Sequence, residues 1–474
     1  MITDFQEYVM STQSKKDALV MATSMPQYPT GYMYLDYGTG SYLTVCDDDE
    51  CPLYQYHNVG TTCGSVNTII AKSQGGKTTL AMAMAAAIIE PYVTKILYDS
   101  VMRDVLTQAK IKKKPEIEGA PLIQILDTEK TLPVDYAKKV TRYTNKLMKH
   151  HVAINPITTD KDLMLALNKH VQYKVAHMEK IPMPMLDIFG NPIMEYPPTV
   201  MIIDSMSQLL LEDCDDPSSI AKAKKSGILD IYDSATQNTA GARRAKIITA
   251  LYSQLVNYAK KYNIIIFSIC HINKMLPVNG VPVKQYRGLR AGETIGGGEK
   301  AIFLAATILR LDVIKNVSSE STTSVNLGDD IKGHIAVASW IKSKSNSKMN
   351  KCQIVYTNEA GYDPILSNLW YGKEIGDLPR SGNFFYVPGY EKLKFTMKNY
   401  REVFGDHPEL FSAYYDDLRD KCAKLLDNPE RAQSADQRLL AAVRDDIHRE
   451  FDDEDDRGDV RDMDDIFANA WNVA

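Results

Sequence analysis

The sequence contains no long apolar run and few cysteines, and both absences limit what kind of protein it can be. A transmembrane helix needs about 20 consecutive apolar residues, and no such run exists. The 7 cysteines are scattered over 474 residues, which argues against a disulfide framework and favours a reducing compartment. Residues 1–7 do not have the pattern of a signal peptide. We therefore expect a cytoplasmic protein that has no membrane partner.

The net charge is −5, but much of the acid is concentrated in one segment near the end of the chain. Residues 452–465 hold nine acidic side chains and two arginines. Their low apolar content predicts a disordered acidic tail over residues 451–474. Such a tail suits a polyanion-binding protein, because it can compete with the polyanion for basic groups. A solvated tail that only aids solubility explains the charge equally well.

The most specific motif is AKSQGGKTT, which spans residues 71–79. An apolar run precedes it and a helical pattern follows it, as in loops that wrap a polyphosphate with backbone N–H groups. Lys77 would reach the β and γ oxygens of ATP, and the Thr78 hydroxyl would bind Mg²⁺. Ala71 stands where the usual motif has its first glycine. The alternative is an ordinary Gly-Gly turn. The remaining candidate cofactor-binding residues of the loop are Ser73, Gln74, Gly75, Gly76 and Thr79.

Three other apolar runs each end in polar residues that suit a nucleotide site. Asp204 follows one run and would hold Mg²⁺ together with Thr78. Glu129 follows another and could polarise the water that attacks the γ-phosphate, although a solvated acid at the end of a strand is also common. His271 follows the third and could sense the nucleotide state, although a lone histidine is more often structural.

The pattern of apolar runs predicts an α/β fold. Continuous apolar strands with helices between them are typical of a mainly parallel sheet that is covered on both faces. The predicted strands are residues 68–71, 122–126, 200–203, 264–269, 307–311 and 334–341. The predicted helices are residues 132–150, 243–261, 404–426 and 435–451, and the predicted insertions are residues 101–119 and 183–198.

These segments, in this order, resemble the core of the RecA-type recombinases, and most closely the phage UvsX-type strand-exchange proteins. Residues 29–36, PTGYMYLD, are similar to the family segment T-G-S-x-x-L-D. Residues 127–139, DTEKTLPVDYAKK, are similar to D-A-E-x-x-L-D-x-x-Y-A-x-K, with Pro133 where the family has an aspartate near the adenine. Residues 340–344, WIKSK, resemble the family's K-x-K segment. The resemblance covers residues 30–426, with gaps at the two predicted insertions.

The resemblance implies a RecA-like P-loop NTPase core over residues 29–374. An N-terminal helical arm, residues 1–28, would contact another protomer, and a small helical C-terminal unit would span residues 375–450. Within the core, Glu129 would activate the attacking water, and Tyr136 would stack on the adenine. His271 falls at the position that senses the nucleotide. Lys342 and Lys344 match lysines that reach the ATP of the neighbouring protomer.

The function that the resemblance implies is that of a DNA-dependent ATPase active in recombination and repair. It would form helical filaments on single-stranded DNA and catalyse homologous pairing and strand exchange with double-stranded DNA, in the host cytoplasm if it is phage-encoded. Mobile DNA-binding loops are expected near residues 211–241 and 274–299, where Tyr286 or Leu289 could insert between bases. Single-stranded-DNA-binding or mediator proteins could contact the acidic tail. The candidate DNA contacts are Arg243, Arg244, Lys274, Lys284, Arg287 and Arg290.

Two other functions stay open at this point. A hexameric replicative helicase has a motor of the same fold, but the sequence has no obvious large N-terminal helical domain, and Lys342 and Lys344 suit the recombinase better. A filament-forming or DNA-coating protein with a vestigial nucleotide site is the third interpretation, because Ala71 departs from the loop motif.

Four residues near the phosphate-loop motif could hold a zinc ion, namely Cys46, Cys51, His57 and Cys63. Their spacings match no common structural zinc site. Buried thiols and a surface histidine are the simpler interpretation.

Overall fold

The computed structural model describes residues 26–45, 54–93, 98, 122–186, 192–211, 234–274, 289–295, 302–319, 324–328, 331–344 and 351–426. The contacts of the chain define one compact unit that extends to Ala423, and a second unit of residues 424–474. The acidic tail, the predicted helix at 435–451, the insertion at 101–119 and residues 1–25 of the predicted arm lie outside the described residues. No described helix has the length and apolar character needed to cross a membrane.

The described strands and helices are numbered in chain order. The strands are β1 (Gln27–Tyr28), β2 (Ser41–Val45), β3 (Tyr54–Asn58), β4 (Thr61–Thr62), β5 (Val66–Ala71), β6 (Ile123–Asp127), β7 (Val152–Pro156), β8 (Ile181–Leu186), β9 (Pro192–Glu195), β10 (Thr199–Asp204), β11 (Ile264–Lys274), β12 (Glu293–Ile295), β13 (Thr307–Val317), β14 (Gly333–Ser343), β15 (Lys351–Thr357), β16 (Gly361–Tyr362), β17 (Arg380–Ser381) and β18 (Phe384–Phe385). The helices are α1 (Met33–Gly38), α2 (Lys77–Ile89), α3 (Val134–Thr141), α4 (Asn145–His151), α5 (Asp160–His177), α6 (Ser234–Tyr262), α7 (Pro364–Ile375), α8 (Tyr400–Asp406) and α9 (Glu409–Leu426).

One mixed sheet of 10 strands organises the chain, in the order β16-β15-β14-β13-β5-β11-β10-β6-β7 with β12 beside β11. Strands β13, β5, β11, β10, β6 and β7 run parallel to one another. Strands β14, β15 and β16 extend the sheet from β13 with antiparallel pairing. The predicted α/β class is therefore confirmed. The carboxyl ends of the parallel strands form one edge of the sheet, where an open α/β sheet binds its ligands.

The burial of the central strands shows that the sheet is covered on both faces. Every residue of β5 and β6 is buried, as are the first five residues of β10. Since alternate residues of a strand point to opposite faces, such burial requires packing on each side. Leu163 and Leu167 of α5, with Leu255 of α6, join strand residues in one apolar cluster. Helix α2 packs against β10, β16 and α3.

All six predicted strands are present, as β5, β6, β10, β11, β13 and β14. The prediction of one helix over residues 132–150 is wrong, because α3 ends at Arg142, which adopts a left-handed φ of 59°. Helix α4 then begins with Thr144 as its N-cap, whose side chain accepts from the N–H of Leu147. Residues 404–426 also form parts of two helices, α8 and α9, which separate before Pro408.

One predicted insertion and one predicted loop contain strands. Residues 183–198, predicted only as an insertion, contribute to the antiparallel hairpin of β8 and β9. Strand β12 lies within the predicted second loop, residues 274–299, and pairs with the end of β11. The predicted first loop, residues 211–241, overlaps the start of α6 at residue 234, and its residues 212–233 lie outside the described part of the chain.

Candidate active site

The loop between β5 and α2 depends on two glycines that cannot be replaced without strain. A Cβ on Gly75 would lie 2.7 Å from the Cβ of Ala71. Gly76 adopts a left-handed φ of +71°, and a Cβ there would lie 2.7 Å from the Tyr362 ring. Ala71 is a buried strand residue that does not adopt a left-handed backbone. The alanine at the motif's first position is therefore compatible with the turn, provided that Gly75 stays a glycine.

The first residue of α2 is Lys77, with Gly76 as N-cap. Its side chain is buried, and its Nζ donates to the Lys72 carbonyl at 3.0 Å, inside the loop. Burial lowers the pKa of Lys77, while Asp204 and Glu129 act in the opposite direction. Helix N-termini present free N–H groups and a partial positive charge. Together with a lysine, the start of α2 is an arrangement suited to a polyphosphate. Exposed Ser73 and Gln74 form the tip of the loop.

Thr78 and Asp204 meet although they lie far apart in sequence. The Thr78 hydroxyl donates to Asp204 Oδ2 at 2.5 Å. Asp204 ends β10, where burial raises its pKa to about 6. A hydroxyl and a carboxylate are the oxygen ligands that Mg²⁺ prefers, and such sites usually combine one or two protein ligands with substrate phosphates. The predicted pair of metal ligands is thus brought together, and its donor set fits Mg²⁺.

Glu129 and His271 also lie together beside the loop. His271 Nδ1 is 3.3 Å from Lys77 Nζ, and its Nε2 is 3.6 Å from Glu129 Oε1. Burial, followed by the charge of Lys77, lowers the pKa of His271, which keeps the imidazole neutral near pH 7. His271 therefore contacts both the buried lysine of the loop and a carboxylate. It can respond to changes at either one.

The residue that positions Glu129 is Asp127, for which the sequence analysis proposed no role. Its buried carboxylate accepts from the backbone N–H groups of Glu129 at 3.0 Å, Lys130 at 2.8 Å and Leu132 at 2.9 Å. These bonds fold the chain after β6 into a tight turn. The sequence pattern of an aspartate at the end of a strand, followed by a turn, could have revealed this function.

Tyr136 contacts the first turn of α2 through its hydroxyl. That hydroxyl lies 2.6 Å from Thr79 Oγ1 and 3.4 Å from the hydroxyl of Tyr356. Tyr356 in turn stacks on His334, with the ring centroids 4.5 Å apart. The sequence analysis missed Tyr356 and His334, because antiparallel pairing of β14 with β15 brings them beside the site.

Lys342 and Lys344 do not lie beside the loop between β5 and α2. Lys342 pairs with Ile308, and Ile308 pairs with Thr68, three residues before the end of β5. Strand geometry puts Lys342 about 10 Å back along the strands and two strands to the side. Its Nζ donates to the Ile302 and Phe303 carbonyls, each at 2.6 Å. Burial, followed by the charge of Lys344, lowers the pKa of Lys342 to about 8.

Of the six candidate DNA contacts, only Arg290 has a described side chain. Its exposed guanidinium lies 3.2 Å from Asp312. Leu289 is buried in the core cluster, so its side chain is not exposed for the predicted insertion between bases. Arg243 and Arg244 lie on α6 and Lys274 ends β11, but their side chains are outside the described set. Lys284, Tyr286 and Arg287 lie outside the described residues altogether.

Cys63 is a buried thiol, and burial raises its pKa. The side chains of the other three candidate zinc ligands lie outside the described part of the chain. Among the side chains that are described, no group of three or more His, Cys, Asp or Glu residues could hold a metal ion.

Comparison with known proteins gives no independent identification of the site. The chain matches no protein-family model, and no curated protein is similar to it.

Proposed function

We propose that this protein is a RecA-like, DNA-dependent ATPase that forms filaments on single-stranded DNA and catalyses strand exchange. The observation that supports this most strongly is the convergence of five residues at the carboxyl ends of the parallel strands, namely Lys77, Thr78, Asp204, Glu129 and His271. These residues come from four different strand ends. A Gly-Gly turn without function would not require this set of side chains around it.

In this proposal each residue has a distinct role in ATP hydrolysis. Lys77 and the start of α2 bind the β- and γ-phosphates. Thr78 and Asp204 hold Mg²⁺, which when bound neutralises phosphate charge as it develops. Glu129 is 41% exposed, as expected of a carboxylate that must accept a proton from a water molecule.

In this proposal Tyr136 contacts the nucleotide base. It lies on α3, and its hydroxyl bonds to Thr79 in the first turn of α2. An aromatic ring there supports the stacking on adenine that the family resemblance implies. The nearby stack of Tyr356 on His334 adds a second aromatic surface.

The positions of Lys342 and Lys344 support a site that is completed by a second protomer. Both Nζ atoms contact backbone carbonyls of residues 302–304, away from the phosphate loop of their own chain. Phe303 beside them is 70% exposed, which is unusual for a large apolar side chain. A neighbouring protomer that covers this surface would receive two positive charges, which act as an arginine finger does.

Coupling to DNA follows from the chain path of β11. His271 is followed within three residues by Lys274, where the second predicted DNA loop begins. Strand β12 fixes the far end of that loop to β11. A change at His271 on hydrolysis would therefore reach the loop through one strand.

ATP hydrolysis measured with and without single-stranded DNA tests this proposal. We expect hydrolysis that rises on addition of DNA and is lost in Lys77→Ala. Lys72→Ala is the matched control, because Lys72 is exposed and lies in the same loop but contacts its neighbours through its backbone carbonyl. A wild-type protein that hydrolyses no ATP, with or without DNA, would refute the proposal.

A further inference from the structure

Residues 361–363, near the β16 edge of the sheet, contact the loop between β5 and α2. Tyr362 is buried, and its hydroxyl donates to the Gly75 carbonyl at 3.1 Å. Its ring also lies against Gly76, at the place where any side chain on that residue would clash. One tyrosine therefore contacts both glycines of the loop, from a position 287 residues later in the chain.

The two neighbours of Tyr362 contact the surroundings of the same loop. Gly361 has a left-handed φ of +70°, and a Cβ there would lie 2.3 Å from Thr79 Cγ2. Asp363 is buried and accepts from the N–H of Leu366 at 3.0 Å, as the N-cap of α7. Its Oδ2 lies 3.1 Å from Nη2 of Arg142, the C-cap of α3. Since α3 carries Tyr136, residues 361–363 connect the loop, the first turn of α2 and the tyrosine predicted to bind the base.

Three further contacts fix the position of Tyr362. It packs edge-on against Tyr356, with centroids 5.3 Å apart, and its hydroxyl lies 3.4 Å from His334 Nε2. The Tyr362 carbonyl accepts from the Tyr32 hydroxyl at 3.1 Å. These contacts leave the ring little freedom to move away from the loop.

The bond to Gly75 has a specific consequence for the loop. A peptide unit is planar and trans, so the direction of the Gly75 carbonyl sets the opposite direction of the Gly76 N–H. Backbone N–H groups are what a phosphate loop presents to its ligand. Two adjacent glycines, one of them left-handed, would otherwise allow this peptide to turn over at little cost.

We propose that Tyr362 is a positioning residue for the nucleotide: it holds the peptide between Gly75 and Gly76 in its phosphate-binding orientation. Asp363 and Arg142 keep α3 in register with the loop. This inference rests on the proposed function, because it assumes that the loop binds a nucleoside phosphate. Tyr362 touches no reacting atom in this role. Its loss should weaken binding and leave turnover at saturation almost unchanged.

The test is Tyr362→Phe, which removes only the hydroxyl and preserves ring packing. Binding of Mg–ADP, measured by isothermal titration calorimetry without DNA, should weaken about three- to tenfold, as expected when the neutral hydrogen bond to the Gly75 carbonyl is lost. The KM for ATP should rise by a similar factor while kcat changes less than about twofold. Tyr28→Phe is the matched control, because Tyr28 is equally buried and its hydroxyl bonds to Asn263, which precedes β11 at the opposite edge of the sheet.

A second variant, Arg142→Gln, tests the same segment at a side chain that is 47% exposed. It should weaken Mg–ADP binding roughly twofold to fivefold, as the loss of a partly exposed ion pair does. Wild-type affinity in Tyr362→Phe would overturn the inference, as would an equal loss in Tyr28→Phe, because that would reflect lower stability. If the wild-type protein did not bind Mg–ADP at all, the proposed function itself would fail instead.

Discussion

Arg310→Met should destabilise the protein far more than any surface charge substitution. The Arg310 guanidinium donates to both oxygens of Glu293, at 2.6 and 3.1 Å, and to both oxygens of Asp312, at 2.8 and 3.2 Å. The side chains of Arg310 and Glu293 are 5% and 3% exposed. Methionine fills much of the same volume but leaves the buried Glu293 carboxylate without its ion-pair partner, although the Arg290 N–H still donates to it at 2.9 Å. Since Glu293 lies on β12, the substitution also loosens the strand that ends the second predicted DNA loop.

The expected loss in the free energy of unfolding follows from the burial of this ion pair. Breaking a buried ion pair by removing one partner costs about 3–5 kcal/mol, because the remaining charge is uncompensated. Replacing both partners with apolar residues is often neutral, so Arg310→Met combined with Glu293→Leu should recover most of the loss. Arg290→Met is the matched control. It removes a neighbouring ion pair to Asp312 in which the arginine is 63% exposed, and such pairs contribute about 0–1 kcal/mol.

The assay is chemical denaturation of the three variants and the wild type, followed by ATP hydrolysis with DNA. The pH dependence gives an independent check. Arg310 holds the pKa of Glu293 at about 2, below the ordinary value of a glutamate. The ion pair's contribution to the free energy of unfolding is fully present when the pH is above the ordinary pKa of a glutamate, and it is lost as the pH falls towards 2. The difference in the free energy of unfolding between the wild type and Arg310→Met should therefore become smaller below about pH 4.3. Equal losses in Arg310→Met and Arg290→Met would refute this reasoning.

Three further predictions concern catalysis. Glu129→Gln should keep ATP binding and lose turnover by about 10²–10⁴-fold, the usual contribution of a general base; near-normal hydrolysis would remove Glu129 from that role. The double variant Lys342→Ala and Lys344→Ala should bind ATP as a monomer but show little DNA-stimulated hydrolysis, and full activity would exclude completion of the site by a second protomer. Because Lys342 has a pKa of about 8 in the protomer, it is charged below that pH, so DNA-stimulated hydrolysis should fall as pH rises from 7 to 9. Lys342→Arg should abolish that fall, since arginine stays charged, and parallel pH profiles would exclude Lys342 as its source.

The sequence was sufficient to predict those parts of the fold that consist of continuous apolar strands. Because a parallel strand that is buried on both faces must be apolar throughout, β5, β10 and β11 were recognisable, and so were the polar residues at their ends. Strand β7 escaped prediction because it lies at the edge of the sheet and none of its residues is fully buried. The end of α3 at Arg142 was missed because the apolar pattern continues across it, although Thr144 is a typical helix N-cap.

The contacts that position the site could not be read from the sequence in the same way. Tyr362 reaches Gly75 through pairing of β14, β15 and β16, and antiparallel strands added after the parallel ones carry no motif that names their partner. Likewise, the sequence predicted a role for Lys342, but only strand register shows that this residue lies two strands away from the loop between β5 and α2. Local patterns thus identified individual residues, and pairing over long sequence distances determined their geometry.

Electron microscopy of the full chain on single-stranded DNA tests the central proposal most directly. With a slowly hydrolysed ATP analogue and Mg²⁺, we expect continuous helical filaments on the DNA. The filaments should be absent without nucleotide and in the double variant of Lys342 and Lys344. Closed rings would instead support a hexameric helicase, and DNA coating that does not depend on nucleotide would contradict a site completed by ATP between protomers.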